Sequence, residues 1–432
     1  MGLNYLNIIA IANTCVFILL MIFIKKNKNI LYLNFILITL PVLSLKVFYG
    51  INSFVIISII FLLFFYKTDQ KKEKKQLIYR VNSVVLIISI IIGLMTSKFS
   101  VDVENYLELA NVFFILIFSM IFIEECLQKK MLFYTFINSL KITLGISFVF
   151  LILQFIFGIH FSLSNNLNPN IISSEGYRYP SFFSDPQVYA QYLGALSFIC
   201  LVPIARNQNI RLLNYILIMF CALGILTTGG RSGLIGFLIG IGFIFFFIKW
   251  KYKIKLIIIS IISLAIILNY QNKLLILNRG TDLEDAYYFR NSIWNDAYKI
   301  FLKKPSFGIG IGNYAKYVSI HNPDQVWLRG NEYVTFDHPE SGYLKYLTEI
   351  GFIGFLCFLI FILTPIINGI VSFFKKKELT PVLLIASIIC WMIGFYSTYS
   401  FGDIKLCILI TAILSLLIVY PKIPKQNIYY NS

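Results

Sequence analysis

From Leu6 onward the sequence is a succession of apolar runs, at about 6–24, 30–45, 49–66, 82–97, 106–123, 140–159, 188–205, 212–228, 232–249, 254–270, 344–370, 381–397 and 404–420. A helix rises ~1.5 Å per residue and the hydrocarbon core of a bilayer is ~30 Å thick, so runs of this length suit membrane crossings. Composition agrees: the chain of 432 residues is 58% hydrophobic and 13% charged, whereas a water-soluble domain carries ~25% charged residues. A soluble enzyme, a secreted disulfide scaffold and a disordered chain are excluded. The expected fold is an all-α polytopic membrane protein of about 12–14 transmembrane helices, with one large extracytoplasmic loop containing short helices.

The formal charge of +17 would suit nucleic acid if it lay on one soluble face, but it is broken into short clusters between apolar runs. When alternate connections are assigned to opposite sides, one side collects Lys25, Lys26 and Lys28, then Lys67 to Arg80, Lys129 and Lys130, and Arg206 and Arg211. It also collects Lys249 to Lys255, Lys375 to Lys377, and Lys422 and Lys425. The short connections opposite hold few basic residues, chiefly Lys46, Lys98, Arg231 and Lys405. By the positive-inside rule the rich side is cytoplasmic, which predicts an outer N-terminus and a cytoplasmic C-terminus. The first run lacks a small-residue cleavage site and reads as an uncleaved span of a protein of the cytoplasmic (inner) membrane. The seven cysteines fall in or beside apolar runs, with no zinc-ligand spacing.

Two connections are long, and both fall on the outer side. They divide the chain into N-terminal spans (1–159), central spans with the first outer loop (160–270), a large outer loop (271–341) and C-terminal spans (342–432). The large loop is electrically neutral, with eight basic and eight acidic residues, and the histidines His160, His321 and His338 all lie in the two outer segments. A loop this long in a compact protein is usually functional. Chemistry is therefore expected on the outer face.

Within that loop, Asp285 to Lys304 carries apolar residues at helical spacing and stops at Pro305. This predicts a helix lying on the membrane surface or over a cavity, with Arg290 near its start. A lipid headgroup is the plainer partner for that arginine. Phe307-Gly308-Ile309-Gly310-Ile311-Gly312-Asn313 fails as a dinucleotide loop, because no strand precedes it and Asn313 stands where a third glycine is needed. It reads as a tight turn, with backbone N–H groups that could face an anion. Asp337-His338-Pro339-Glu340 brings an imidazole and two carboxylates to the mouth of a span, as general base chemistry requires. Solvation of the span boundary is the alternative. Ser184-Asp185-Pro186 reads as an N-cap followed by proline at the first helical position, with Arg178 just upstream. Thr228-Gly229-Gly230-Arg231-Ser232-Gly233 reads as a hairpin that sets Arg231 at a helix N-terminus, where aligned N–H groups and a guanidinium suit phosphate. Snorkelling is the alternative for Arg231.

These features together resemble the O-antigen ligase and polymerase superfamily of bacterial surface-polysaccharide assembly. The likeness rests on Arg178, Phe183, Asp185-Pro186 and Tyr189; on Gly230-Arg231-Ser232-Gly233; on Arg290, Trp294, Pro305, Gly308, Gly310 and Asn313; and on Tyr343-Leu344, Glu349, Gly351 and Gly354. The resemblance implies a metal-independent, inverting membrane glycosyltransferase without a cofactor. Its donor and acceptor would be undecaprenyl-pyrophosphate-linked glycans within membrane lipid, and a chain-length regulator and a flippase would be its partners. Arg231 and Arg290, with Arg178 as a third, match the positions that bind pyrophosphate. The family's His-Asn-x-Tyr-Leu pattern is not kept: Glu340 and Ser341 occupy the first two places and His338 stands two residues earlier. Either His338 or Glu340 is then the catalytic base. The departure favours an O-antigen polymerase over a ligase acting on lipid A-core, and a lipid-linked-sugar flippase is the non-enzyme alternative.

Overall fold

The structure, a computed structural model, describes residues 5–48, 50–66, 77–97, 99, 101–164, 167, 171–173, 176–202, 208–250, 252–254, 257, 276, 283–321, 326–329, 332–335 and 338–424. The apolar run at 254–270, the basic segment 67–75, Arg206 and Asp337 lie wholly or almost wholly outside them. The described chain is helical: α1 (Tyr5–Phe23), α2 (Lys28–Ile38), α3 (Ser53–Ile60), α4 (Leu77–Met95), α5 (Val103–Gln128), α6 (Leu132–Phe157), α7 (Pro186–Cys200), α8 (Gln208–Thr228) and α9 (Arg231–Phe247). In the large loop and beyond follow α10 (Leu283–Lys303), α11 (Tyr314–His321), α12 (Gly342–Lys376), α13 (Thr380–Ser397) and α14 (Ile404–Val419). Sheet is confined to short antiparallel hairpins. The longest, in the large loop, pairs Val326 with Thr335 through to Arg329 with Glu332.

Six of these helices are long and apolar enough to cross a membrane, namely α1, α5, α6, α12, α13 and α14, and five apolar helices are shorter. The expected spans at 30–45 and 49–66 differ most from the sequence reading. A hairpin at Lys46–Asn52 divides them, leaving α2 with 11 residues and α3 with 8 before a five-residue π-helical turn. At ~1.5 Å per residue, α2 covers roughly half of a bilayer core.

Two opposite ends emerge from the packing. At one, Lys129 donates to Asn27 (2.6 Å), Asn29 to Glu125 (2.7 Å), and Arg80 pairs with Glu124 (3.4 Å). There too Lys376 donates to the Tyr420 and Ile423 carbonyls (2.8 and 2.6 Å), and the Tyr420 ring lies against Phe133. Basic segments far apart in sequence thus meet. The other end gathers the starts of α5, α7, α9, α12 and α14, the ends of α4, α6, α8 and α13, and the described part of the large loop.

Small residues set the helix contacts that carry the site. On α9 a Cβ at Gly233 would lie 2.5 Å from the Ala190 Cβ of α7, and one at Gly236 would lie 2.4 Å from the Cys390 carbonyl oxygen of α13. In lipid, where apolar surface gains nothing by leaving its solvent, such close approach is what holds helices together. The apolar run at 140–159 sets Lys141 at its edge, but α6 begins at Leu132, so Lys141 lies well within the helix; it donates to the Cys200 carbonyl at the end of α7 (3.1 Å), to the Val202 carbonyl just beyond (3.3 Å) and to Asn214 (3.0 Å). There it satisfies the last carbonyls of a helix that ends inside the bundle.

Candidate functional site

The N-terminal turn of α7 forms as the sequence suggests: Asp185 accepts from the Gln187 N–H (2.6 Å) and Pro186 takes the first helical position. Arg178, just upstream, is fully buried, and its Nε donates to the Thr228 carbonyl at the end of α8 (2.7 Å). A cation at a helix C-terminus satisfies an orphan carbonyl and complements the dipole. Arg178 therefore braces the hairpin from which α9 begins. Arg231 is the first residue of α9, half-buried, with its Nε donating to the Ile276 carbonyl (3.2 Å). The α9 N-cap is Gly230, which supplies no side-chain cap, and the Ser232 hydroxyl is buried without a hydrogen-bond partner among the described residues. Uncapped N–H groups beside a guanidinium form an anion-attracting helix start.

The expected loop helix is present as α10, and it brings Arg290 to Glu340, Nη2 to Oε2, at 3.9 Å. Glu340 adopts φ +51°, a left-handed conformation in the turn that leads into α12. Trp294, one turn on from Arg290, packs against Tyr396 at the end of α13 (5.3 Å, edge-on). The Thr398 hydroxyl then donates to Gln187 in the first turn of α7 (2.6 Å). Through the end of α13, the Arg290–Glu340 pair and the Arg178–Arg231 hairpin belong to the same end of the bundle. His338, half-buried, sets its imidazole 5.6 Å from the Tyr399 ring.

The glycine-rich segment 307–313 is a turn, as expected, but the N–H groups of Gly308, Ile309, Gly310 and Asn313 are committed to backbone carbonyls rather than to an anion. Gly308, Gly310 and Gly312 all have positive φ, and the Ile309 and Gly310 N–H groups donate to the Thr348 and Glu349 carbonyls (3.0 and 2.9 Å). Those carbonyls are available because α12 breaks at Gly351 (φ 66°, ψ −175°), beyond which the Phe352 and Ile353 N–H groups donate to Pro305 and Ser306 (2.7 and 3.2 Å). The approach is close: a Cβ on Gly308 would lie 2.5 Å from the Glu349 carbonyl. Asn313 closes the clamp, donating to Ser97 (3.1 Å) and accepting from Asn105 (3.0 Å). Lys316 of α11 pairs with Asp102 at the start of α5 (2.5 Å), and this ammonium holds the Asp102 carboxyl below its usual range.

One buried cluster escaped the sequence reading. Glu349 is fully buried, and its Oε1 accepts the Tyr314 N–H (3.1 Å). Lys345 lies 3.7 Å from Glu349 and 3.6 Å from Glu108 of α5, with its ammonium 4.3 Å over the Tyr399 ring. Glu108, Asn111, Tyr346 and Tyr399 line a cavity of about 110 Å³ that runs inward between apolar walls including Phe358 and Phe361. Burial pushes the Tyr399 phenol well above its ordinary value, so it stays neutral and is no base. The i, i+4 spacing of Lys345 and Glu349 was the available signal; their burial, which gives it weight, was not readable.

Fold and site define a multi-pass membrane protein with arginines, an imidazole and carboxylates gathered at one end. Residues 216–359, a third of the chain, match the family model described as O-antigen ligase, and this match supports the resemblance to the O-antigen ligase/polymerase superfamily. The matched segment runs from α8 to the middle of α12, so it holds Arg231, Arg290, His338 and Glu340 and leaves Arg178 outside. The match supports a membrane enzyme of polysaccharide biosynthesis. Comparison with curated proteins gives no match.

Proposed function

We propose that this protein polymerises undecaprenyl-pyrophosphate-linked oligosaccharide repeats into a surface polysaccharide, on the outer face of the cytoplasmic membrane. The observation that carries the reading is the gathering at one bundle end of Arg231 on an uncapped helix start and of Arg290 beside Glu340 and His338. The acceptor hydroxyl attacks the anomeric carbon of the donor, and the new C–O bond forms as the bond to the diphosphate breaks. The diphosphate leaves with the electron pair, held by Arg231 and Arg290, while Arg178 keeps the Arg231 hairpin in place. His338 takes the hydroxyl proton. Glu340 is the less suited base, since its carboxylate is stabilised in charged form by Arg290. The neutral outer loop and the basic opposite end support this orientation by the positive-inside rule.

The test is a deletion strain of the native host complemented with Arg231→Ala or Arg290→Ala. Polymerase function predicts a single lipid-linked repeat on the outer face and no long polymer. Full-length polymer accumulating on the undecaprenyl carrier would make the protein a ligase, the activity named by the matching family. Repeats retained on the cytoplasmic face would make it a flippase.

A further inference from the structure

The Glu108–Lys345–Glu349 cluster, in which Lys345 and Glu349 are buried, meets the His338 side of the site at Tyr399. Lys345 is held from two helices: Glu108 comes from α5 and Glu349 from α12 itself, at 3.6 and 3.7 Å. The ammonium sits 4.3 Å over the Tyr399 ring, and the same ring meets the His338 imidazole at 5.6 Å. Tyr399 belongs to the connection between α13 and α14, a stretch without regular structure between Ser397 and Ile404. Its ring is otherwise confined by Tyr346 (6.0 Å) and Phe395 (6.2 Å). A desolvated ammonium over an aromatic face is attracted to the ring quadrupole and fixes the plane of that ring.

We infer that Lys345 is a positioning residue, which fixes Tyr399 and through it the orientation of the His338 imidazole. The inference rests on His338 being the base of the proposed reaction, and it assigns to this chain a support that the histidine alone does not reveal. The arrangement also explains why a lysine is kept buried, at 5% exposure, between two carboxylates where an apolar residue would pack. Among the described residues, the charged groups on this side of His338 include Glu340, two residues on, with Arg290 of α10 beyond it, and across Tyr399 the ammonium of Lys345 with Glu108 and Glu349.

The test uses the full chain in lipid nanodiscs with labelled histidine. The chain has three histidines, so His338→Gln assigns the resonance. Lys345→Met leaves Glu108 and Glu349 without their cation, and the His338 titration midpoint should rise by about half a unit or more. Lys345→Arg should restore it, and Tyr399→Phe, which keeps the ring, should leave it in place. Glu108→Gln, at the more exposed anchor, removes one negative charge and should move the midpoint down; it carries the test if Lys345→Met does not fold. A folded Lys345→Met or Glu108→Gln protein with an unmoved midpoint overturns the inference. The readout needs no glycan. If polymer still forms in a His338→Gln strain, the base assignment fails while the positioning result is judged on its own.

Discussion

Arg231 and Arg290 are both written in the sequence as arginines at outer helix starts, yet their surroundings differ. Arg231 is tied to a backbone carbonyl, whereas Arg290 faces a carboxylate at 3.9 Å. Arg290→Ala should lower polymer formation ~10²–10³-fold, the range for loss of one preorganised charge donor. Arg290→Lys should recover it only in part, because a point charge cannot replace a planar fork. Densitometry of the polysaccharide ladder distinguishes the two. With His338 as base, activity in vesicles should fall as the medium is acidified, because the protonated ring accepts nothing. A flat profile from pH 5 to 8 would argue for Glu340. Residue identity was thus readable at these positions. Lys345 and Glu108 were not, because their meaning comes from two helices brought together across more than 200 residues of chain.

Among elements, the clamp between the glycine turn and the break in α12 fixes how the large loop meets the bundle. The sequence shows the glycines; it does not show that their N–H groups bond to Thr348 and Glu349, since that requires Gly351 to open the helix. Gly308→Ala would combine a left-handed backbone with a Cβ 2.5 Å from a carbonyl oxygen. It should destabilise the loop attachment by about 2–4 kcal/mol, measured as a lower melting temperature in detergent. Gly242 of α9 is the control, for no heavy atom lies within 4 Å of its added Cβ. The Asp102–Lys316 pair is exposed and weaker. Because Lys316 lowers the folded-state pKa of Asp102, the pair stabilises above the ordinary carboxylate value and is lost as pH falls below ~3.9. Hydrogen exchange of the α11 amides should accelerate over that window and not between pH 5 and 7.

For the whole molecule, the charge pattern anticipated which connections meet. Asn27 with Lys129 and Lys376 with Tyr420 come from segments that the sequence assigns to one side. What it could not give was the helix inventory near the N-terminus, where hydropathy alone does not see the hairpin that shortens α2 and α3. Hydropathy also set Lys141 at the edge of its run, whereas its helix starts eight residues earlier. Orientation is open to a direct measurement. Ser319 is exposed in α11 on the loop-bearing end. In a Cys15→Ser background the remaining cysteines are buried, so Ser319→Cys should react with a membrane-impermeant maleimide in intact spheroplasts. Labelling only after lysis would invert the proposed topology.

The left-handed break at Gly351 makes α12 a rod of two pieces. Both its short head and the start of its long shaft are splinted by the same loop, the head through the Thr348 and Glu349 carbonyls and the shaft through the Phe352 and Ile353 N–H groups. A splint of this kind lets one long helix change direction while the four backbone groups freed at the break keep partners outside it.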